Sequence, residues 1–341
     1  HLAAASLFDI PGRRVPSGLI HPNLVKFYHR GDMQPLWTTA DGPNALGEVV
    51  RSVLAAADTH GLNPADYAVD QIERYWDKKD VTRIARLELL LTLGVVDYIS
   101  DLAEGRRRPR QIDPEHFPTA RDTDVDPVDI VERCLACTDL GSYLEDQAPP
   151  FLQYRELKDK LTLYRSLAAN GGWPQVPPGP SLKPGQSGPR VPAVRKRLSV
   201  TGEFPASDGT DIDGADRIEY DDALVTAVKR FQRLHGLETD GIIGPATLAA
   251  MNVTAAMRVR QIVANMESWR WVARDPGDQM LVVNIPNFEL KCLRREKPEL
   301  SMSVIVGEQY HMTPVFTDKI RFVEINPYWD IPRKIAANEM L

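Results

Sequence analysis

Between Asn44 and Gly105 the apolar residues recur at helical spacing. Leu46, Val49, Val50, Val53 and Leu54 share one face, which predicts a helix stopping at Gly61, a residue type suited to the left-handed conformation at a helix end. Ile84, Leu87, Leu91, Val95, Tyr98 and Leu102 follow spacings of three and four and predict a long helix closing at Gly105. The longest apolar run, Leu87 to Val96, is interrupted by Glu88, Thr92 and Gly94 and is shorter than the ~18 residues a membrane span needs. No bilayer crossing is therefore predicted. Further helices are expected over Pro127 to Gly141 and Pro149 to Gly171, the second with Phe151, Tyr154, Leu157, Leu161, Tyr164 and Ala168 on one side. Residues 1–172 thus read as an α-helical scaffold domain.

The pattern then breaks. Trp173 to Pro189 carries Pro174, Pro177, Pro178, Pro180 and Pro184 among several glycines, so no regular element can persist, and residues 173–181 read as a linker. Residues 182–253 are expected to form a small three-helix module: Val191 to Val200, then Tyr220 to His235 with Leu224, Val228 and Phe231 inward, then a short helix opened by Gly244-Pro245 after a turn at Asp240-Gly241. In the stretch 254–278, a helix over Met257 to Trp271 sets Ile262, Val263, Met266 and Trp269 on one face. After it the period changes to two. Strands are predicted at Leu281 to Ile285, Phe288 to Leu293, Met302 to Val306 and Ile320 to Ile325, with turns at Pro286-Asn287 and Glu296-Lys297-Pro298. Residues 279–341 read as the start of an antiparallel β domain. The fold class is multidomain α and β.

A length of 341 residues fits two to three domains, and 43% hydrophobic with 26% charged residues is ordinary globular composition. A net charge of −6 disfavours a nucleic-acid partner. Arg106, Arg107, Arg108 and Arg110 form a basic run, read as a solvated helix exit in preference to a contact with an anionic polymer. Cys134 and Cys137 stand three apart in a predicted helix. They fit a disulfide, buried thiols or half a zinc site, and the last lacks its other two ligands. Asp211, Asp213 and Asp216 invite a calcium reading, but Ala215 takes the fifth position of the loop and no Glu closes it, so a solvated loop is expected and no metal or other cofactor. The chain opens at His1 without a basic-then-apolar leader, which is the expectation for a processed or trimmed chain.

Two resemblances organise these observations. Leu182 with Gly185 and Gly188, Val194 to Leu198, the block Ala227 to Gln232, Gly236-Leu237, Asp240 to Thr247 and Asn252 follow in order the pattern of the peptidoglycan-binding domain found beside many bacterial wall enzymes. Val283-Asn284-Ile285-Pro286 with Phe288 and Leu290, Val304 to Gly307, Thr313 to Phe316, Asn326 to Pro332 and Ile335-Ala336 resemble the opening half of an L,D-transpeptidase catalytic domain of the large periplasmic three-domain type. Pro35-Leu36-Trp37 resembles that family's helical scaffold, and Asn265-Met266-Glu267 with Arg270-Trp271 its return helix to the scaffold.

The resemblance implies an enzyme that cuts a peptidoglycan tetrapeptide stem after its third residue and joins the acyl group to a neighbouring diaminopimelate-type amine. It further implies a Gram-negative periplasm or cell envelope, a role in cell shape and inhibition by carbapenem β-lactams. That chemistry needs a thiolate, a His to carry its proton and backbone donors for the oxyanion. The family supplies them in a Ser-His-Gly-Cys segment preceded by a second His, and neither occurs in residues 1–341. The catalytic Cys and His are thus expected beyond Leu341, and the 341-residue chain is expected to be inactive. Cys292 alternates with Phe288 and Leu290, which places its thiol among buried side chains. The resemblance gives Asn326, Tyr328, Trp329, Thr313 and Pro314 as substrate-groove residues; the aromatics fit core packing equally well. Two other readings stand beside it: a non-catalytic wall-binding scaffold, and a wall hydrolase sharing the module, although no His-Glu-x-x-His or similar metal spacing appears.

Overall fold

The computed structural model describes residues 22–31, 34–107, 126–205, 217–272, 274, 277–308 and 312–328. Helices fill the scaffold: α1 (Pro22–Arg30), α2 (Ala45–Ala55), α3 (Val69–Tyr75), α4 (Val81–Glu104), α5 (Pro127–Ala136), α6 (Leu140–Glu145) and α7 (Leu152–Ala169), with a two-residue hairpin of β1 (Thr38–Thr39) and β2 (Gly42–Pro43) ahead of α2. The single helix expected over Pro127 to Gly141 is two, because Cys137 turns to an extended conformation and Asp139 caps a new start through Ser142 N–H. Cys134 and Cys137 are free thiols; Cys137 Sγ donates to the Cys134 carbonyl at 3.1 Å.

Helix α4 is the axis of the scaffold, with every residue from Leu87 to Val96 buried. Its three interruptions are its most specific contacts. Glu88, 5% exposed, accepts hydrogen bonds from Leu36 N–H (2.7 Å), Trp37 N–H (3.0 Å), the Thr38 hydroxyl (3.0 Å) and the Tyr28 hydroxyl (2.8 Å). Thr92 accepts the Trp37 indole N–H at 2.9 Å. A Cβ on Gly94 would come within 2.6 Å of Leu54 Cδ1, so only glycine lets α2 approach this closely. Glu88 and Thr92 thus strap Tyr28 and Leu36 to Thr38 onto α4, while Gly94 seats α2.

Beyond the module, α11 (Ala255–Arg270) returns to the scaffold and packs along α7, with Phe151 and Trp269 ring centroids 5.0 Å apart. Buried Arg270 donates to the His60 carbonyl (2.6 Å), to the Tyr154 hydroxyl (3.2 Å) and to Glu267 (2.7 Å). Glu267 in turn accepts the backbone N–H groups of Arg106 (2.6 Å) and Arg107 (2.9 Å). Gly105, at φ +84°, has the Trp271 indole nitrogen 2.7 Å from where a Cβ would stand. The basic run is therefore not a solvated exit at Arg106, whose guanidinium also pairs with Asp66 (2.6 Å) and Asp101 (3.4 Å). Arg108 and Arg110 lie outside the described residues.

Beside Arg270, buried His60 reaches the Tyr154 hydroxyl through Nδ1 (3.1 Å) and meets Glu145 (3.2 Å) and Lys158 Nζ (3.0 Å) at Nε2; Lys158 also pairs with Glu145, and the Tyr98 ring stands edge-on. Burial holds the His60 pKa below its usual 6.5, against the opposing hydrogen bond to Glu145, whose own carboxyl is drawn down to about 2 chiefly by that bond. A histidine whose folded pKa is lowered costs stability as pH falls below 6.5, because the unfolded chain protonates first. Glu145 loses its contribution later, from pH 4.5 toward 2. Nearby Asp101 acts oppositely: burial raises its pKa to about 6, so it regains stability on acidification through that value. Urea midpoints of the native protein are expected to fall more steeply between pH 7 and 5 than those of His60→Gln, which removes the His60 titration; the change it also makes at Glu145 acts below pH 4.5, outside that window. Equal slopes would show that His60 protonates as easily folded as unfolded.

The three-helix module comprises α8 (Val191–Thr201), α9 (Asp222–Leu234) and α10 (Pro245–Met251) around Val194, Leu198, Leu224, Val228 and Phe231. Residues 173–181 carry no helix or strand, yet Trp173 and Val176 are buried. The Trp173 ring lies 4.0 Å from the buried Arg197 guanidinium and edge-on to Tyr164 of α7 at 5.9 Å. Asn252 holds both backbone groups of Val176, at 2.9 and 3.0 Å. The segment between scaffold and module is thus extended but tied at both ends.

Three antiparallel strands close the described fold in the order β3 (Gln279–Asn284), β4 (Glu289–Arg294), β5 (Lys297–Ser303). The third strand lies earlier than Met302 to Val306, because the pairing Arg294↔Lys297 leaves a two-residue turn, Arg295-Glu296, that sets the register. Residues 320–325 carry no strand: no ladder partner for them is formed among the described residues. Cys292 also departs from expectation. It shares a face with Leu281, Val283, Leu290, Leu300 and Met302, and that face is half-buried to exposed. The strand's buried residue is Leu293 on the other side, where Met280 packs on the scaffold core, and Phe288 stands exposed outside the strand at φ +53°.

Candidate functional site

The β3–β4 connection is a single 3₁₀ turn, Ile285–Asn287, that Asn284 caps by accepting Asn287 N–H at 3.3 Å. Pro286 lies within that turn, where its fixed φ suits the first turn of a helix. On the polar face of the sheet Glu289 accepts from the Ser301 hydroxyl (2.6 Å) and the Asn287 amide (2.8 Å) and pairs with Lys291 (3.2 Å). These bonds, Ser301 first, hold its carboxyl below the usual range.

After β5, Val304 N–H bonds the Phe288 carbonyl at 2.9 Å and the chain leaves the sheet. Thr313 accepts Gly307 N–H at 2.8 Å, which draws the two ends of the 307–313 stretch together. Pro314 beside it is exposed. Asn326 takes the left-handed conformation (φ +54°), which its short amide side chain tolerates, and turns the chain into Pro327 and Tyr328. Tyr328, the last described residue, is 96% exposed. Trp329 lies outside the described residues. Among the described residues no hydrogen bond joins Thr313 to Asn326 or Tyr328.

The described histidines stand elsewhere: His29 in α1, His60 in the scaffold, and His235 after α9, stacked 3.9 Å from Phe231. Cys292 therefore has no His on its sheet among the described residues. Burial pushes the Cys134 thiol up to about 12, where a thiolate nucleophile is disfavoured. No group of three or more His, Cys, Asp and Glu side chains suited to a metal ion occurs among the described residues, and the Asp211, Asp213, Asp216 loop lies outside them.

In the module, most motif residues build the fold. The Gln232 amide donates to Asp240 (2.8 Å), the Ile242 carbonyl (3.0 Å) and Thr247 (3.2 Å), while its oxygen accepts Gly241 N–H (2.8 Å). The Tyr220 hydroxyl donates to the Gly241 carbonyl at 2.6 Å. A side chain read only as the last residue of the Ala227 to Gln232 motif block thus holds the Asp240 to Thr247 turn. Its signal was the isolated amide beside buried Phe231.

Three family models match the chain: a scaffold domain at residues 22–161, a putative peptidoglycan binding domain at 187–251 and an L,D-transpeptidase catalytic domain at 278–341. Among curated proteins, the N-acetylmuramoyl-L-alanine amidase CwlL of Bacillus licheniformis is 39% identical over 80 residues, 24% of this chain and 21% of that protein. The match thus spans about a fifth of that relative's length. No helix among the described residues is long and apolar enough to cross a membrane.

Proposed function

From a chain that carries a scaffold, a peptidoglycan-binding and an L,D-transpeptidase domain in the order of the three-domain L,D-transpeptidases, we propose an envelope enzyme that crosslinks peptidoglycan stems by cysteine acyl transfer. The donor is a tetrapeptide stem, and the acceptor a diaminopimelate-type amine of a neighbouring stem. Supporting this is the succession of the three domains, with the Val283 to Pro286 motif ending at a capped turn. The exposed Tyr328, with Asn326, Thr313, Pro314 and Trp329, is assigned to the wall of the donor groove, where an aromatic face and backbone polar groups suit a peptide. The compartment that fits this chemistry is the periplasm.

The thiolate and its base belong to a Ser-His-Gly-Cys segment that the 341 residues do not contain. The 341-residue chain is thus expected to bind the wall without forming an acyl-enzyme. Two measurements separate these halves. Co-sedimentation with purified sacculi should retain the chain; no retention above a charge-matched control would remove the wall-binding reading. Intact-mass spectrometry after exposure to meropenem, a carbapenem that acylates such thiols, should show an unmodified chain. A stoichiometric adduct mapped to Cys292 would make that residue the nucleophile and overturn the assignment.

A further inference from the structure

Helix α7 begins without a cap of its own: the Phe151 side chain accepts no bond, and its first turn carries no acidic residue. The missing carboxylate arrives from the sheet. Glu296 Oε1 accepts Leu152 N–H at 2.8 Å, and Oε2 accepts Arg155 Nη2 at 2.7 Å, while Arg155 Nη1 donates to the Pro150 carbonyl at 2.7 Å. These bonds link positions 144 and 141 residues apart in sequence. Glu296 lies in the two-residue β4–β5 turn, where Arg295 (φ +46°) and Glu296 (φ +63°) both adopt the left-handed conformation. Such turns favour Asn-Gly, and two long side chains there are strained. Strain of this kind persists where something outside the turn requires the residue.

We infer that Glu296 is a positioning residue that fixes the angle at which the β3–β5 sheet stands on the scaffold. Another contact between them runs through Met280 against the scaffold core, and apolar burial is non-directional. A carboxylate shared between a helix N-terminus and a guanidinium is directional, and the helix dipole favours its charge. The residues assigned to the donor groove follow β5 in the chain, so the sheet angle sets where they stand relative to the wall-binding module. That catalytic consequence rests on the transpeptidase reading; the docking does not.

Glu296→Gly separates docking from turn formation, since glycine fits the left-handed turn better than glutamate does. In the full chain, hydrogen exchange at the amides of residues 152–155 is expected to quicken about fivefold or more, the effect of losing a typical cap. The β4–β5 ladder amides should exchange no faster. Glu296→Gln, which keeps an acceptor and loses the charge, should fall between. Unchanged exchange at residues 152–155, or an equal rise across the ladder, would overturn the inference. Because the readout needs neither sacculi nor an acyl-enzyme, its failure would leave the proposed function untouched.

Discussion

Replacing Glu88 by alanine is expected to destabilise the scaffold by about 4 kcal/mol or more. Four donors converge on this carboxylate: two backbone N–H groups and the hydroxyls of Tyr28 and Thr38. A buried donor left without a partner costs about 1–3 kcal/mol. The Tyr28 hydroxyl can fall back on Thr92, 2.6 Å away, but the amides of Leu36 and Trp37 have no second acceptor among the described residues. Set against a total of about 5–15 kcal/mol for a domain, the loss approaches unfolding. Thermal melts followed by near-ultraviolet circular dichroism of the tryptophans would register it. Glu88→Gln retains one acceptor and should lose less. A loss under about 1 kcal/mol for alanine would show that water enters and replaces the carboxylate.

Phe231→Ala is expected to destabilise the module by about 3–5 kcal/mol, as when other buried aromatic sites are emptied. Phe231 is fully buried, with His235 stacked on one side and the Arg197 guanidinium 5.5 Å from its ring. Arg197 is itself buried, and burial lowers its pKa to about 10, so its neighbours matter to it. Removing the ring opens a cavity beside a charge that is held by the Met251 carbonyl and the Thr201 hydroxyl. Calorimetric melts should show the module's transition moving while the scaffold's stays. A change below about 1 kcal/mol would mean that the site collapses around the loss.

The sequence revealed the course of α4 more readily than its partners. Spacings of three and four located its apolar face, whereas Glu88, Thr92 and Gly94 read as interruptions in a hydrophobic run. Their meaning depends on residues 28–38 and 54, far along the chain, and periodicity carries no such information. The same limit applies to Glu267 and Arg270, whose partners are His60, Arg106, Arg107 and Tyr154. In the sheet, apolar residues placed the strands roughly, but the turn at Arg295-Glu296 decided the register and shifted β5 toward the N-terminus. Of the residues read as groove wall, the structure gives the local geometry of Thr313, Pro314, Asn326 and Tyr328; what they bind is a matter of chemistry that spacing does not encode.

The buried Trp173 changes how wall attachment can act. A freely jointed tether of nine residues would let its ends separate by roughly 15–18 Å in any direction, so the module would serve mainly to raise the local concentration of substrate. With Trp173 against Arg197 and Tyr164, and Val176 tied to Asn252, that freedom is gone. A module gripping a glycan strand would then fix the heading of the scaffold too, and under the proposed function the stems within reach would be chosen by direction as well as by distance.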